Sequence, residues 1–373
     1  MNNLFVKGRN KAIMLAYKSV LKPIFFSMDP ENVHDKMVSF GKTLGASSLT
    51  RGILRLTFGY TNPVLEQDIL GIRFRNPVGL AAGFDKNAEL HQILPGVGFG
   101  FGELGSITGY PCEGNFKPRL WRLRRSKGLV VYYGLKNKGC EIISNELRTR
   151  QFDIPIGISV AMTNCRDNVD VANALNDYAK AFTSFQNIGE YITVNISCPN
   201  AEGGQPFVDP EKLNLLLGKL DNIEVKKPVF VKISPDLNPG RIDEILSVLK
   251  QHRVHGIICS NLTKKRSNPA IIDGIVPEKG GISGAPVRDL SDNLISYIYK
   301  KEKDRFVIIG CGGIFNARDA YKKIRAGASL VQMITGMIFE GPQVISEINM
   351  GLVKLLKKDG YRNVKEAVGA DVK

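Results

Sequence analysis

Several absences narrow the field. No two of the six cysteines, at 112, 140, 165, 198, 259 and 311, are spaced C-x-x-C. Zinc-finger spacing, an RNA-recognition signature and basic–aromatic alternation are missing too, so a nucleic-acid reader is a poor reading and no metal site is expected. A chain of 373 residues does not need disulfides, and reduced thiols in a cytosolic or inner-membrane-facing protein are the default. No apolar run reaches about 18 residues, so no bilayer-spanning helix is expected. The N-terminus has no long apolar core followed by a small-residue cleavage site, which argues against secretion.

What is present points to one large α/β core. Apolar residues make up 43% of the chain, and 38 glycines cluster after apolar runs rather than in low-complexity tracts. Eight such runs recur: Pro77–Gly83, Phe99–Thr108, Ile154–Ala161, Tyr191–Ser197, Pro228–Ser234, Val254–Asn261, Phe306–Ile314 and Ser329–Thr335. Unbroken apolar character marks strands buried on both faces of a parallel sheet. Amphipathic stretches such as Pro210–Leu220 and Pro239–Gln251 separate them, the second opened by Asn238. Eight βα units imply a closed (β/α)8 TIM barrel over residues 61–373, with ligands at the C-terminal strand ends. The polar and glycine positions fall at those ends: Gly83 to Lys86, Ser106, Asn195 to Asn200, Lys232, Asn261, Gly312 with Gly313, and Thr335 with Gly336.

Residues 1–60 do not share the repeat and read as a helical arm. Before Asp29 they carry Lys7, Arg9, Lys11, Lys18 and Lys22 with no acid, interleaved with apolar positions. A basic amphipathic helix of this kind suits an anionic membrane surface; the alternative is a short helix docked on the barrel. The chain as a whole carries a formal charge of +15, which favours anionic partners.

Read in order, the motifs resemble the dihydroorotate dehydrogenases, and within them the membrane-associated, quinone-linked class. The matching segments include Met28-Asp29-Pro30-Glu31 through His34, Asn76 to Lys86, Gly105-Ser106-Ile107-Thr108, Lys117-Pro118-Arg119 and Asn195-Ile196-Ser197-Cys198-Pro199-Asn200. They continue with Val231 to Leu237, Gly280 to Gly284, Gly310 to Gly313 and Ala326 to Gln332. The resemblance implies bound FMN and electron transfer from (S)-dihydroorotate to a quinone. It also implies peripheral attachment, by the arm, to the cytoplasmic face of the cell membrane. His34 and Arg122 would line the quinone entrance; the alternative for His34 is a surface helix histidine.

Each candidate has a chemical reason. Gly312, Gly313, Thr335 and Gly336 lie where this fold builds phosphate sites, and Ala81, Ala82 and Gly83 are small enough for a flavin ring to lie against. Lys232 ends an apolar strand, so its ammonium needs an anionic partner; a Schiff-base lysine of a barrel lyase is the rival. Lys86 pairs with a substrate carboxylate or FMN, or else makes a surface salt bridge. The resemblance adds Ser106, Ser159, Asn195, Ser260 and Gly284 to the flavin set, and Lys86, Asn195, Asn200, Asn261 and Leu135 to the substrate set. It makes Cys198 the base that takes a proton from the substrate carbon, given an accessible thiolate; a buried structural cysteine is the alternative. The segment 201–207 after it reads as a mobile lid.

Four positions depart from the family pattern. Val131 and Ser159 stand where the family usually has asparagine, and Leu262 where it has threonine; Cys198 replaces the serine usual in the quinone-linked class. These departures leave two further readings open: an FMN enzyme for another dihydropyrimidine-like or unsaturated substrate, and a catalytically idle flavin-binding protein.

Overall fold

A computed structural model describes residues 3–372. The strands are β1 (Gln67–Ile69), β2 (Ile72–Phe74), β3 (Val78–Leu80), β4 (Phe101–Thr108), β5 (Leu120–Leu123), β6 (Gly128–Val131) and β7 (Ile156–Ala161). There follow β8 (Tyr191–Asn195), β9 (Val229–Ile233), β10 (Gly256–Cys259), β11 (Gly281–Gly284), β12 (Val307–Cys311) and β13 (Leu330–Met333). Eight of them close a barrel in the order β10-β12-β13-β3-β4-β7-β8-β9, with every neighbouring pair parallel. Each of the eight expected runs contains one of these strands. Their apolar continuity has the anticipated cause: every residue of β4 and of β7 is buried.

The connecting helices begin where the sequence supplies a cap. Asp209 and Asn238 accept hydrogen bonds from the Lys212 and Arg241 amides at the start of Pro210–Asp221 and Pro239–Gln251, each helix opening with proline. Below the strands, Phe74, Phe101, Tyr191 and Phe230 form a separate cluster that fills the barrel's lower end. The β1–β2 hairpin supplies Phe74 to it and so closes that end.

The arm is wholly helical: α1 (Asn3–Ala16), a π turn (Tyr17–Leu21), α2 (Lys22–Ser27), α3 (Pro30–Ala46) and α4 (Ser48–Phe58). It is held to the rest of the chain by buried side chains such as Val6 and Phe26 and by discrete polar ties. The Arg119 guanidinium donates to the Glu31 carboxylate at 2.8 Å with both side chains buried. Arg122 donates to Met28 O at 2.8 Å, and the Tyr17 hydroxyl to Ile338 O at 2.6 Å.

One element was not anticipated. β5, β6 and β11 form a three-stranded antiparallel sheet in the order β11-β6-β5, lying between arm and barrel. Its strands have four residues each and no Asn-Gly turn joins β5 to β6, so period and turn chemistry both understate it.

Candidate active site

The arm and the three-stranded sheet roof the C-terminal rim of the barrel and enclose a cavity of about 340 Å³. That is near the lower end of the roughly 300–1,000 Å³ found for small-molecule sites. The cavity runs without a break from Phe26, His34 and Met37 of the arm to Asn195, Gly312 and Gly336 at the strand ends. The barrel strands therefore place one set of groups around it and the arm another.

The rim side is polar but narrow in chemistry. Ala81, Ala82 and Gly83 follow β3; Gly83 has φ +108°, and a Cβ there would meet nothing within 4 Å. Gly312 and Gly313 follow β12 at φ +119° and +71°, conformations that favour glycine. A Cβ on Gly336 would come within 1.9 Å of Ile314 O, so this position must be glycine for the loops to meet. Next to it, Thr335 Oγ1 lies 2.8 Å from Ser283 Oγ, beside Gly284 of β11.

Amides and hydroxyls form one connected run across the rim. Ser159 Oγ and Ser106 Oγ are 2.7 Å apart, and Asn195 Nδ2 donates to Ser106 Oγ at 2.9 Å. Asn195 Oδ1 accepts from the Ser197 amide at 3.1 Å. Asn261 Nδ2 donates to Ser197 O at 2.9 Å, and Asn200 Nδ2 to Val131 O at 2.9 Å. Ser260 and Leu135 also line the cavity. Ser159 does not: it is fully buried behind Ser106 and is the one candidate residue outside the lining.

The charged groups divide between the two sides. Lys232 is 4% exposed and lines the cavity; among the described residues its ammonium has no hydrogen-bond or ion-pair partner. Lys86 points instead to the arm, with Nζ 3.2 Å from His34 Nε2 and 3.9 Å from the Tyr133 ring centre. Burial lowers its pKa to about 7. His34 is tied on both nitrogens, Nδ1 to Asp35 at 3.2 Å and Nε2 to Phe84 O at 2.8 Å. Arg122 stands over the Phe26 ring at 4.7 Å.

Cys198 follows β8, lines the cavity and is a free thiol. Burial pushes it up to about 11, against the amides of Asn200 and Ala201 and the charge of Lys264, which act to lower it. These surroundings favour the thiol over the thiolate at neutral pH.

Several lining groups escaped sequence reasoning. Tyr17, Phe26 and Tyr133 wall the arm side. On the rim side Gln332 donates to the fully buried Glu103 at 3.0 Å, while its own Oε1 has no partner among the described residues. Of these, only Tyr17 and Phe26 gave a signal, as apolar positions of the basic arm.

Fold and placement together define a barrel enzyme working at C-terminal strand ends, and comparison with known proteins narrows this. A family model described as dihydroorotate dehydrogenase matches residues 64–356. A Trichodesmium erythraeum protein named dihydroorotate dehydrogenase (quinone) is 37% identical over 373 residues, covering 95% of this chain and 98% of its own. A Natronomonas pharaonis protein of the same name is 36% identical over 356 residues, with 95% and 99% covered. Among solved structures, DHODH from Eimeria tenella in complex with ferulenol superposes with a TM-score of 0.83 at 30% identity, covering 92% of this chain and 96% of that one. The chain belongs to the dihydroorotate dehydrogenase family. It is thus a flavin-dependent oxidoreductase, as the motif order implied.

Proposed function

We propose that this protein oxidises (S)-dihydroorotate to orotate with FMN as its flavin and passes the electrons to a membrane quinone. The observation that carries the reading is the single cavity joining the strand-end rim to the arm. Such a space admits a polar reductant from one side and an apolar acceptor from the other. The names of the relatives, dihydroorotate dehydrogenase (quinone), give the same pair of substrates.

The residues present fit a flavin. An unpartnered buried ammonium, Lys232, is costly without an anion and suits the electron-rich edge of the ring. Gly83 leaves open space where the ring would lie, and the loops of Gly312, Gly313, Thr335 and Gly336 suit the phosphate. When bound, the flavin supplies the hydride acceptor and electron store. The protein's part is orientation and proton transfer. Asn195, Asn200 and Asn261 orient the substrate by their amides, and Cys198 Sγ takes the proton from the substrate carbon next to the one that loses hydride. His34 and Arg122 face the quinone side, and Lys86 stands between the two. The arm, with exposed apolar side chains such as Phe40, Leu49 and Leu56, lies on the cytoplasmic face of the membrane. No helix among the described residues is long and apolar enough to cross one.

A second reading has its own support: Val131 and Leu262 line the cavity, and the Val131 carbonyl occupies the Asn200 amide. An apolar edge there favours a different dihydropyrimidine-like substrate. Anaerobic addition of dihydroorotate to the purified yellow protein separates the two. Bleaching of the flavin bands supports the first, and an unchanged spectrum that bleaches with another reductant supports the second.

A further inference from the structure

A cleft on the outer side of the arm–barrel junction takes no part in the chemistry above. It encloses about 300 Å³ and is lined by Lys18, Lys22, Pro23, Phe26, Lys127 and Glu340. Lys18 and Lys127 each pair with the Glu340 carboxylate, at 2.5 and 2.8 Å. Lys22 donates to Phe339 O at 2.9 Å and lies 5.2 and 5.1 Å from the Phe26 and Phe339 ring centres. Two ammonium groups thus pair with one carboxylate, and a third, Lys22, lines the same cleft without pairing with it. Glu347 acts on Lys18 from farther off, and Arg122 and Arg124 stand over the same Phe26 ring at 4.7 and 5.8 Å. The balance of charge around the cleft is positive. Burial lowers the Lys22 pKa; Lys127 and Lys18 act in the same sense, and Glu340 opposes them.

Pro23 and Phe26 give the cleft an apolar wall, and exposed apolar side chains outside its lining continue along the same stretch of chain. Val20, Leu21 and Ile24 lie on the same short helical stretch as Lys18 and Lys22, and are 54%, 45% and 51% exposed. A free phosphate would satisfy the lysines and leave these side chains in water. A molecule with a phosphate at one end and hydrocarbon at the other satisfies both. We propose that the cleft seats the headgroup of an anionic phospholipid, its phosphate against Lys18, Lys22 and Lys127 and its acyl chains along Val20, Leu21 and Ile24. This rests on the membrane contact proposed for the arm and adds to it a lipid class and a fixed position.

Titration calorimetry of the flavin-loaded full chain tests it with monomeric short-chain lipids, which present no charged surface. Dihexanoylphosphatidylglycerol should bind at one site per chain at least about tenfold more tightly than dihexanoylphosphatidylcholine. Lys18→Gln with Lys127→Gln should abolish that preference. Lys7→Gln with Lys11→Gln removes the same charge from exposed positions of α1 and should preserve it. If the double cleft variant loses its flavin or its cooperative melt, Lys127→Gln alone keeps the Lys18–Glu340 pair and serves instead. Equal binding of the two lipids, or equal loss in the two double variants, overturns the headgroup site. Vesicle cosedimentation separates the two claims: wild type that pellets with vesicles but shows no short-chain preference overturns the site only. Failure to pellet with any vesicle overturns the membrane contact itself.

Discussion

The barrel and the arm hide their apolar side chains by different means. Of the 19 large apolar side chains that stand exposed among the described residues, 11 lie between positions 4 and 56, though the arm is a small fraction of the chain. In α4 no residue is buried at all, whereas β4 has none that is not. The barrel buries most of its apolar side chains in its own core. The arm is fastened by polar ties, the Glu31–Arg119 pair foremost, and by a few buried apolar side chains such as Val6 and Phe26, and leaves many of its other apolar side chains exposed. Exposed apolar side chains gathered in one region make it a candidate interaction site, and it is there that the membrane contact proposed for the arm is to be tested.

The largest effect expected tests whether the chemistry is the barrel's alone. Cys198→Ala should keep its flavin but slow anaerobic flavin reduction by dihydroorotate about 10²–10⁴-fold, the range for loss of a general base. Stopped-flow bleaching at the wild-type rate would remove the thiol from that role. Next, Glu31→Ala leaves the buried Arg119 guanidinium without its carboxylate, a loss of about 3–5 kcal/mol. It should loosen the junction, seen as earlier tryptic release of the arm and lower quinone turnover, while bleaching by substrate persists. If bleaching fell equally, the two regions would not be separable in function.

A third effect is smaller per step and concerns the barrel again. Because burial raises the Cys198 pKa to about 11, the base form grows as pH rises and is scarce at neutrality. For dihydroorotate, kcat/KM should therefore climb about tenfold per pH unit from near pH 7 to near pH 10, with no plateau below the thiol's own pKa. A bell centred near neutrality would mean that some other group is the base.

How much of this could be read from residues alone follows the same division. The eight strands were legible because each is buried on both faces, which leaves an unbroken apolar run in the sequence. The rim was legible because glycines, amides and hydroxyls recur where those runs end. Lys86 illustrates the limit: its position after β3 was clear, but its turn toward His34 and Tyr133 depends on a contact 52 residues away in the chain. Ser159 illustrates another, since one rotation of the pleat decides whether a strand residue meets the cavity or, as here, the back of Ser106. The β5-β6-β11 sheet was missed because its third strand comes from residues 281–284, and short strands paired at that separation leave almost no local trace.

The smallest effect expected bears on the arm's outward face. Ile53 and Leu56 of α4 are 54% and 72% exposed, so Ile53→Ser with Leu56→Ser removes side chains that mostly face water. Thermal stability should change by no more than about 0.5 kcal/mol, the usual range for surface positions. Vesicle partition should nonetheless fall roughly tenfold, because each side chain forfeits part of the about 1.5–3 kcal/mol that full burial of such a residue yields. The pairing of results decides the matter. A fall in vesicle binding at constant stability assigns the face to a membrane, whereas a fall in stability with unchanged binding would show that Ile53 and Leu56 serve packing within the chain, as Leu54 of the same helix does.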